Sequence, residues 1–185
     1  IKIKNVEKKK KKKNKKFIKI REPGGNKNSE KIRKIILNNK STFNKHTDLL
    51  LYLASRSENI DLIKKNLGKK IILIDRFLDS TIAYQHYGMG VNLKLIKYIN
   101  YFLIKNIKIN FTFLNLVNNK NMLLRLSKRR KLNRYDKFDK IFYKKVQDGY
   151  IKLANNDPNK YMKIDSNLDI NFNKKLILSK INKLI

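Results

Sequence analysis

Apolar and polar residues along the chain fall into blocks of two different periods. Phe17–Ile20 alternates and predicts a short strand, stopped by Arg21-Glu22-Pro23-Gly24-Gly25. Ile32, Ile35 and Ile36 then lie on one face of a helix that Ser29 caps and that runs through Leu37. A longer helical pattern covers about His46 to Leu67 and is closed by Gly68. Ile71-Ile72-Leu73-Ile74 is an unbroken apolar run, the mark of a strand buried on both faces, and it ends at Asp75-Arg76. After Gly88-Met89-Gly90 a helix extends to about Asn106, and Phe111–Leu116 predicts a further strand. A basic stretch from Leu123 to Arg134 leads into an amphipathic helix over Asp136–Ala154. Tyr161–Ile164 and Leu168–Leu184 close the chain as strand and helix. Residues 1–14 read as a lysine-rich helix with a weak apolar stripe.

Strands alternating with helices, the strands being apolar, predict an α/β domain with a parallel sheet covered on both faces. Its 185 residues suit one domain with a sizeable core. In such sheets ligands sit beyond the carboxyl ends of the strands. Arg21–Gly25 and Asp75-Arg76 both fall there, which makes them the first candidates for a site.

Composition narrows the chemistry. There is no cysteine, so disulfides, a thiol nucleophile and thiolate metal sites are excluded. His46 and His86 lie far apart and read as helix-start and surface residues. No apolar run is long enough to span a bilayer, and no signal-peptide pattern is present; a cytoplasmic globular domain is expected. The formal charge of +32 invites a nucleic-acid reading. Yet Lys, Ile and Asn, at 38, 25 and 25 residues, are what an AT-rich genome encodes, and the run Lys8–Lys13 belongs to that drift. The scarce residue is more informative. Eight arginines remain, and a guanidinium offers a planar fork that an ammonium lacks.

Taken singly, Arg21–Gly25 reads as a turn, Asp75-Arg76 as a surface ion pair and Arg56 as a helix-surface residue. Together with Ser29-Glu-Lys-Ile-Arg33, Leu50-Leu-Tyr-Leu-Ala-Ser-Arg56, Asp75-Arg-Phe-Leu-Asp-Ser-Thr-Ile-Ala-Tyr-Gln85 and Asn133-Arg-Tyr-Asp136, they form one ordered pattern. That pattern resembles bacterial thymidylate kinase from residue 15 onward, with Phe142, Val146 and Tyr150 at matching spacing. The resemblance implies a P-loop-kinase-like, doubly wound parallel sheet over residues 1–185, with a basic lid segment at about 122–136. It also implies transfer of the ATP γ-phosphoryl group to dTMP with Mg²⁺, and a homodimer through the helices around 46–67 and 91–106. No specific nucleic-acid or membrane partner is expected. The family's phosphate-binding loop, G-x4-G-K-[ST], does not occur in the sequence. The expectation is that this loop and the first strand lie upstream of residue 1, and that the chain as written is inactive without them. An inactive remnant and a basic nucleic-acid-binding protein are the alternatives.

Residue roles follow from the resemblance. Arg76 corresponds to the clamp between the dTMP phosphate and the γ-phosphate, with Asp75 near the Mg²⁺ shell. Arg33 corresponds to an arginine on the dTMP phosphate, and Glu22 to an acid that binds magnesium or water. Arg56 donates to thymine O4, Tyr52 stacks on the base, Thr81 and Gln85 reach the thymine edge, and Tyr84 packs near the sugar. Arg125, Arg129, Arg130 and Arg134 fall in the lid, of which Arg125, Arg129 and Arg134 are taken as catalytic. Asn133 stands where the family commonly has an acid, a departure that bears on a lid salt bridge and not on function.

Overall fold

Isoleucine, a β-branched residue that suits a pleated surface, dominates the first two strands. β1 (Phe17–Arg21) and β2 (Ile71–Asp75) pair in parallel, from Phe17↔Ile71 to Arg21↔Asp75. The computed structural model describes residues 16–129 and 132–184; the helix expected over residues 1–14 lies outside them. Two helices make the crossover between these strands, α1 (Lys27–Ile36) and α2 (Lys45–Asn66).

Asn26, not Ser29, caps α1: its side chain accepts from the Ser29 amide at 2.8 Å. Ser29 is instead wholly buried, its hydroxyl donating to the Ser55 carbonyl of α2. The face of α1 that meets α2 therefore runs through Ser29 and Ile36, and Ile35 points to solvent rather than sharing it. Asn44 caps α2 by accepting from the His46 and Thr47 amides, and Gly68, at φ +73°, follows its C-terminal end. α2 serves two cores. Leu49 and Leu53 pack with Ile82, Val91 and Ile96, while Ile60 and Ile63 pack with Ile20 of β1.

β2 is half-buried along its apolar run, not buried on both faces as its sequence predicts. Its strand partner among the described residues is β1 alone, with Ile72 and Ile74 against the Ile20 core and Leu73 against Ile164, Ile177 and Leu178. After β2, a short α3 (Leu78–Thr81) runs directly into π-helical turns at Ile82–Gly88, and α4 (Leu93–Ile104) follows with Asn92 as cap. His86 is half-buried rather than a surface residue, its Nδ1 lying 2.8 Å from the Val91 carbonyl.

β3 (Thr112–Leu116) and β4 (Tyr161–Asp165) form a second parallel pair, from Thr112↔Tyr161 to Leu116↔Asp165. Between them come α5 (Asn119–Ser127), a 3₁₀ turn at Arg134–Lys137 and α6 (Lys140–Asn156). α6 starts later than its apolar pattern suggests because Asp139 is its cap, while Asp136 closes a capping box with Asn133 in the preceding turn. α7 (Ile170–Leu184) packs Ile177, Leu178 and Ile181 on Ile164 of β4. Every strand pair among the described residues is parallel, as alternating strands and helices require. No helix among them is long and apolar enough to cross a membrane.

Candidate active site

The parallel register of β1 and β2 brings Arg21 beside Asp75, and the Glu22 amide donates to the Asp75 carbonyl at 2.9 Å. Both charged clusters thus sit at one end of the sheet. The turn after β1 is strapped down from α1 and α2. The Gly24 amide donates to Ser55 Oγ at 3.1 Å, and Asn59 returns Nδ2 to the Gly24 carbonyl at 2.7 Å. A Cβ on Gly25, at φ +121°, would lie 2.6 Å from Asn59 Oδ1, so this position needs glycine for both conformation and space. Glu30 binds Arg21 through both carboxylate oxygens at 3.0 and 2.8 Å and accepts the Gly25 amide at 3.0 Å. The Arg21 guanidinium and that amide hold the Glu30 carboxyl below its ordinary pKa.

Arg33 reaches the turn from α1, donating Nη1 to the Pro23 carbonyl at 2.6 Å. Burial and the nearby charges of Arg21 and Arg76 depress its pKa. A guanidinium crowded by two others marks a place where an anion is favourable. Arg76 follows β2 with φ +64°, a left-handed conformation that costs a non-glycine residue about 1–3 kcal/mol. Its guanidinium lies over the Tyr84 ring at 5.0 Å. Asp75 is exposed beside it. Tyr52 and Tyr84 both pack edge-on against Tyr135, at 6.0 and 5.7 Å. Burial pushes the Tyr52 phenol up to about 12, so it is protonated at neutral pH.

Arg56 is the hub of the buried half of the site. It is 1% exposed, not a surface residue, and its Nε and Nη2 both lie 2.8 Å from Glu22 Oε2. Nη2 also donates to Thr81 Oγ1 at 2.9 Å, and Nη1 donates to Asn100 Oδ1 at 2.5 Å. Burial raises the Glu22 carboxyl, against the pull of Arg56 and a hydrogen bond from Asn59.

Gln85 and Arg134 belong to a second buried cluster. Asp48 accepts from Gln85 Nε2 at 2.9 Å, from the Tyr135 hydroxyl at 2.6 Å and from Arg134 Nη2. Arg134 therefore braces the base of the segment before α6 onto α2 instead of facing outward. Arg129 pairs with Asp136, and Arg125 donates to the Ser166 carbonyl at 2.6 Å. Arg130 lies outside the described residues. Among the described residues no three carboxylate or imidazole groups come together as a metal site.

Asp48, Asn59, Asn100, Ser55 and Glu30 carry the geometry of the site but received no role from the sequence. For Asn100 a signal existed: it interrupts the apolar stripe Leu93, Ile96, Leu103 on α4. Asp48 and Asn59 are likewise polar positions on buried faces of α2.

A family model described as thymidylate kinase matches residues 2–177. A thymidylate kinase from Sulfurihydrogenibium sp. is 36% identical over 172 residues, covering 91% of this chain and 83% of the relative. One from Acholeplasma laidlawii is 36% identical over 167 residues, covering 88% and 82%. The solved structure of thymidylate kinase from Ehrlichia chaffeensis superposes with a TM-score of 0.71 at 30% identity, over 90% of this chain and 80% of that one.

Proposed function

The chain belongs to the thymidylate kinase family, and from that premise we propose how its residues divide the work of phosphorylating dTMP. The fold is that of the P-loop nucleoside monophosphate kinases, and the reaction passes a phosphoryl group from ATP to the dTMP phosphate. The nucleophile is a phosphate oxygen. A phosphomonoester has a second pKa of about 6 and is already ionised at pH 7, so no general base is needed. Catalysis then consists of positioning and of neutralising charge on the transferring group.

The observation that carries the residue assignment is the shared strand end, where Arg21 and Asp75 are register partners and Arg33 and Arg76 converge. Arg33 and Arg76 take the acceptor phosphate, with Arg76 set between acceptor and donor. Tyr52 supplies a stacking face for the base. Arg56, held by Glu22 and Thr81, supplies a donor to the thymine carbonyl, and Tyr84 closes the sugar side beneath Arg76. Arg125 and Arg129 are the surface arginines of a lid over about 122–136. Gln85 and Arg134 are read instead as a brace through Asp48.

Mg²⁺ fits Asp75 and not Glu22. Mg²⁺ is usually held by one or two carboxylates together with substrate phosphates, and Asp75 is an exposed carboxylate at the strand end. Glu22 is buried and committed to Arg56. When bound, Mg²⁺ neutralises charge on the transferring phosphates. The reading includes a single catalytic domain in the cytoplasm, working as a homodimer. Leu95, Tyr98, Tyr101 and Phe102 line up on the outer side of α4, Tyr98 and Phe102 being 73% exposed, and Leu50 of α2 is exposed as well.

Arg76→Lys tests the assignment. Charge is kept and the fork is lost, so in protein that carries the family's phosphate loop ATP-dependent formation of dTDP should fall by about 100-fold or more while the fold melts normally. Turnover within a few-fold of wild type removes Arg76 from the transferring phosphate.

A further inference from the structure

Asn100 has no assigned role, yet its side chain is buried against the residue read as the base-recognition arginine. Arg56 can only donate, so the Asn100 atom at 2.5 Å from its Nη1 must be the amide oxygen. That settles the orientation of the amide and leaves Nδ2 as its unused donor. Nδ2 is buried and has no hydrogen-bond partner among the described residues. A buried polar donor without a partner is rare and calls for an explanation.

The donors of Arg56 are almost used up. Nε and Nη2 serve Glu22 and Thr81, and Nη1 gives one N–H to Asn100. One Nη1–H remains, on the nitrogen that already binds the Asn100 oxygen. Two spare donors, one from each residue, therefore sit side by side. A carbonyl oxygen has two lone pairs and accepts both. An exocyclic amino group in that place brings donors against donors, leaving buried groups unpaired.

We infer that Asn100 is a specificity-determining residue that, with Arg56, reads the 4-keto oxygen of the pyrimidine and rejects a 4-amino pyrimidine. The inference rests on the reading of Arg56 as the contact to the base. It adds a second donor from a different helix, α4, whose other side carries the exposed Tyr98 and Phe102.

Asn100→Asp separates this from a merely structural role. The carboxylate still accepts from Arg56, so a residue needed only to hold Arg56 loses nothing. It can no longer donate, and it can accept from a 4-amino group. By calorimetry, wild type should bind dTMP saturably and more tightly than dCMP. Asn100→Asp should weaken dTMP binding about tenfold, the scale of one lost hydrogen bond, and narrow its preference over dCMP by at least that factor. Unchanged affinity and preference in a variant that melts cooperatively overturn the inference and leave the dTMP reading intact. A wild-type protein that fails to bind dTMP overturns that reading, and the inference falls with it. Should Asn100→Asp not melt cooperatively, Asn100→Ser decides. Its short hydroxyl removes the donor without adding charge, so the preference over dCMP should again narrow; an unchanged preference overturns the proposal.

Discussion

Replacing Arg56 by methionine should be the most damaging single change in the buried half of the site. Methionine keeps much of the volume but leaves Glu22, 4% exposed, without its counter-charge. Breaking a buried ion pair from one side costs about 3–5 kcal/mol, because the remaining charge stays desolvated. Thr81 and Asn100 each lose a partner as well, at about 1 kcal/mol apiece and not additively. A domain has only about 5–15 kcal/mol of net stability. Arg56→Met should therefore lower the free energy of unfolding by about 4 kcal/mol in a urea titration at pH 7.

The sign of the pH dependence follows from Glu22. Burial already raises its pKa, and without Arg56 nothing as strong opposes that. An acid whose folded pKa lies above its unfolded value stabilises the fold below the unfolded value, here 4.5, and that contribution is lost as pH rises through the folded one. The deficit of Arg56→Met should thus be smallest near pH 4.5 and grow toward neutrality. The double variant Glu22→Gln/Arg56→Met removes the orphan charge and should recover about half of the loss at pH 7 while still failing to bind dTMP. A single variant that loses less than about 1 kcal/mol, or a double variant as unstable as the single, refutes the account of this pair.

Glu30→Gln should weaken the fold by only about 0.5 kcal/mol at pH 7, since the pair with Arg21 is partly exposed and screened. Because Glu30 has a depressed folded pKa, that difference should disappear in acid melts as pH falls below the ordinary value of 4.5 and the wild-type carboxylate takes up its proton; a difference that persists in acid would show that the Arg21 pair is not its source. Phe102→Glu places a charge in the exposed α4 stripe; on the proposed homodimer reading wild type should sediment as a dimer and this variant as a monomer, and equal sedimentation of the two would remove this face from the interface.

The elements were readable where local period and tertiary role agree. α2 and the four strands fall within a residue or two of their hydrophobic patterns. The pattern misleads where a polar residue has two uses. Ser29 resembles a cap but is consumed by Ser55, because Asn26 stands where the helix actually begins. Asp136 resembles a helix start but closes a tighter turn. The strand-end clusters were readable because the parallel register is forced by the crossover through α1 and α2. The brace formed by Asp48, Gln85, Arg134 and Tyr135 was not, because it joins residues 86 and 87 positions apart and no local pattern announces it.

The bias toward lysine also explains why the remaining arginines matter. Codon drift replaces arginine by lysine wherever a positive charge is enough, since an ammonium on a flexible stem serves any solvated position. Arg56 shows what lysine cannot do. One planar group meets Glu22 through two nitrogens, Thr81 through one of these and Asn100 through the third, all in a dry interior. An ammonium has three donors converging on a single atom and cannot span those partners without leaving at least one unpaired. Arg21 grips both oxygens of Glu30 through a comparable fork, and Arg134 reaches Asp48 and the Ile36 carbonyl together. Arg76 has a simpler setting, stacked on Tyr84, and still escaped replacement. Its left-handed backbone is a cost that stacking on Tyr84 does not require, and the proposed role on the transferring phosphate accounts for that cost.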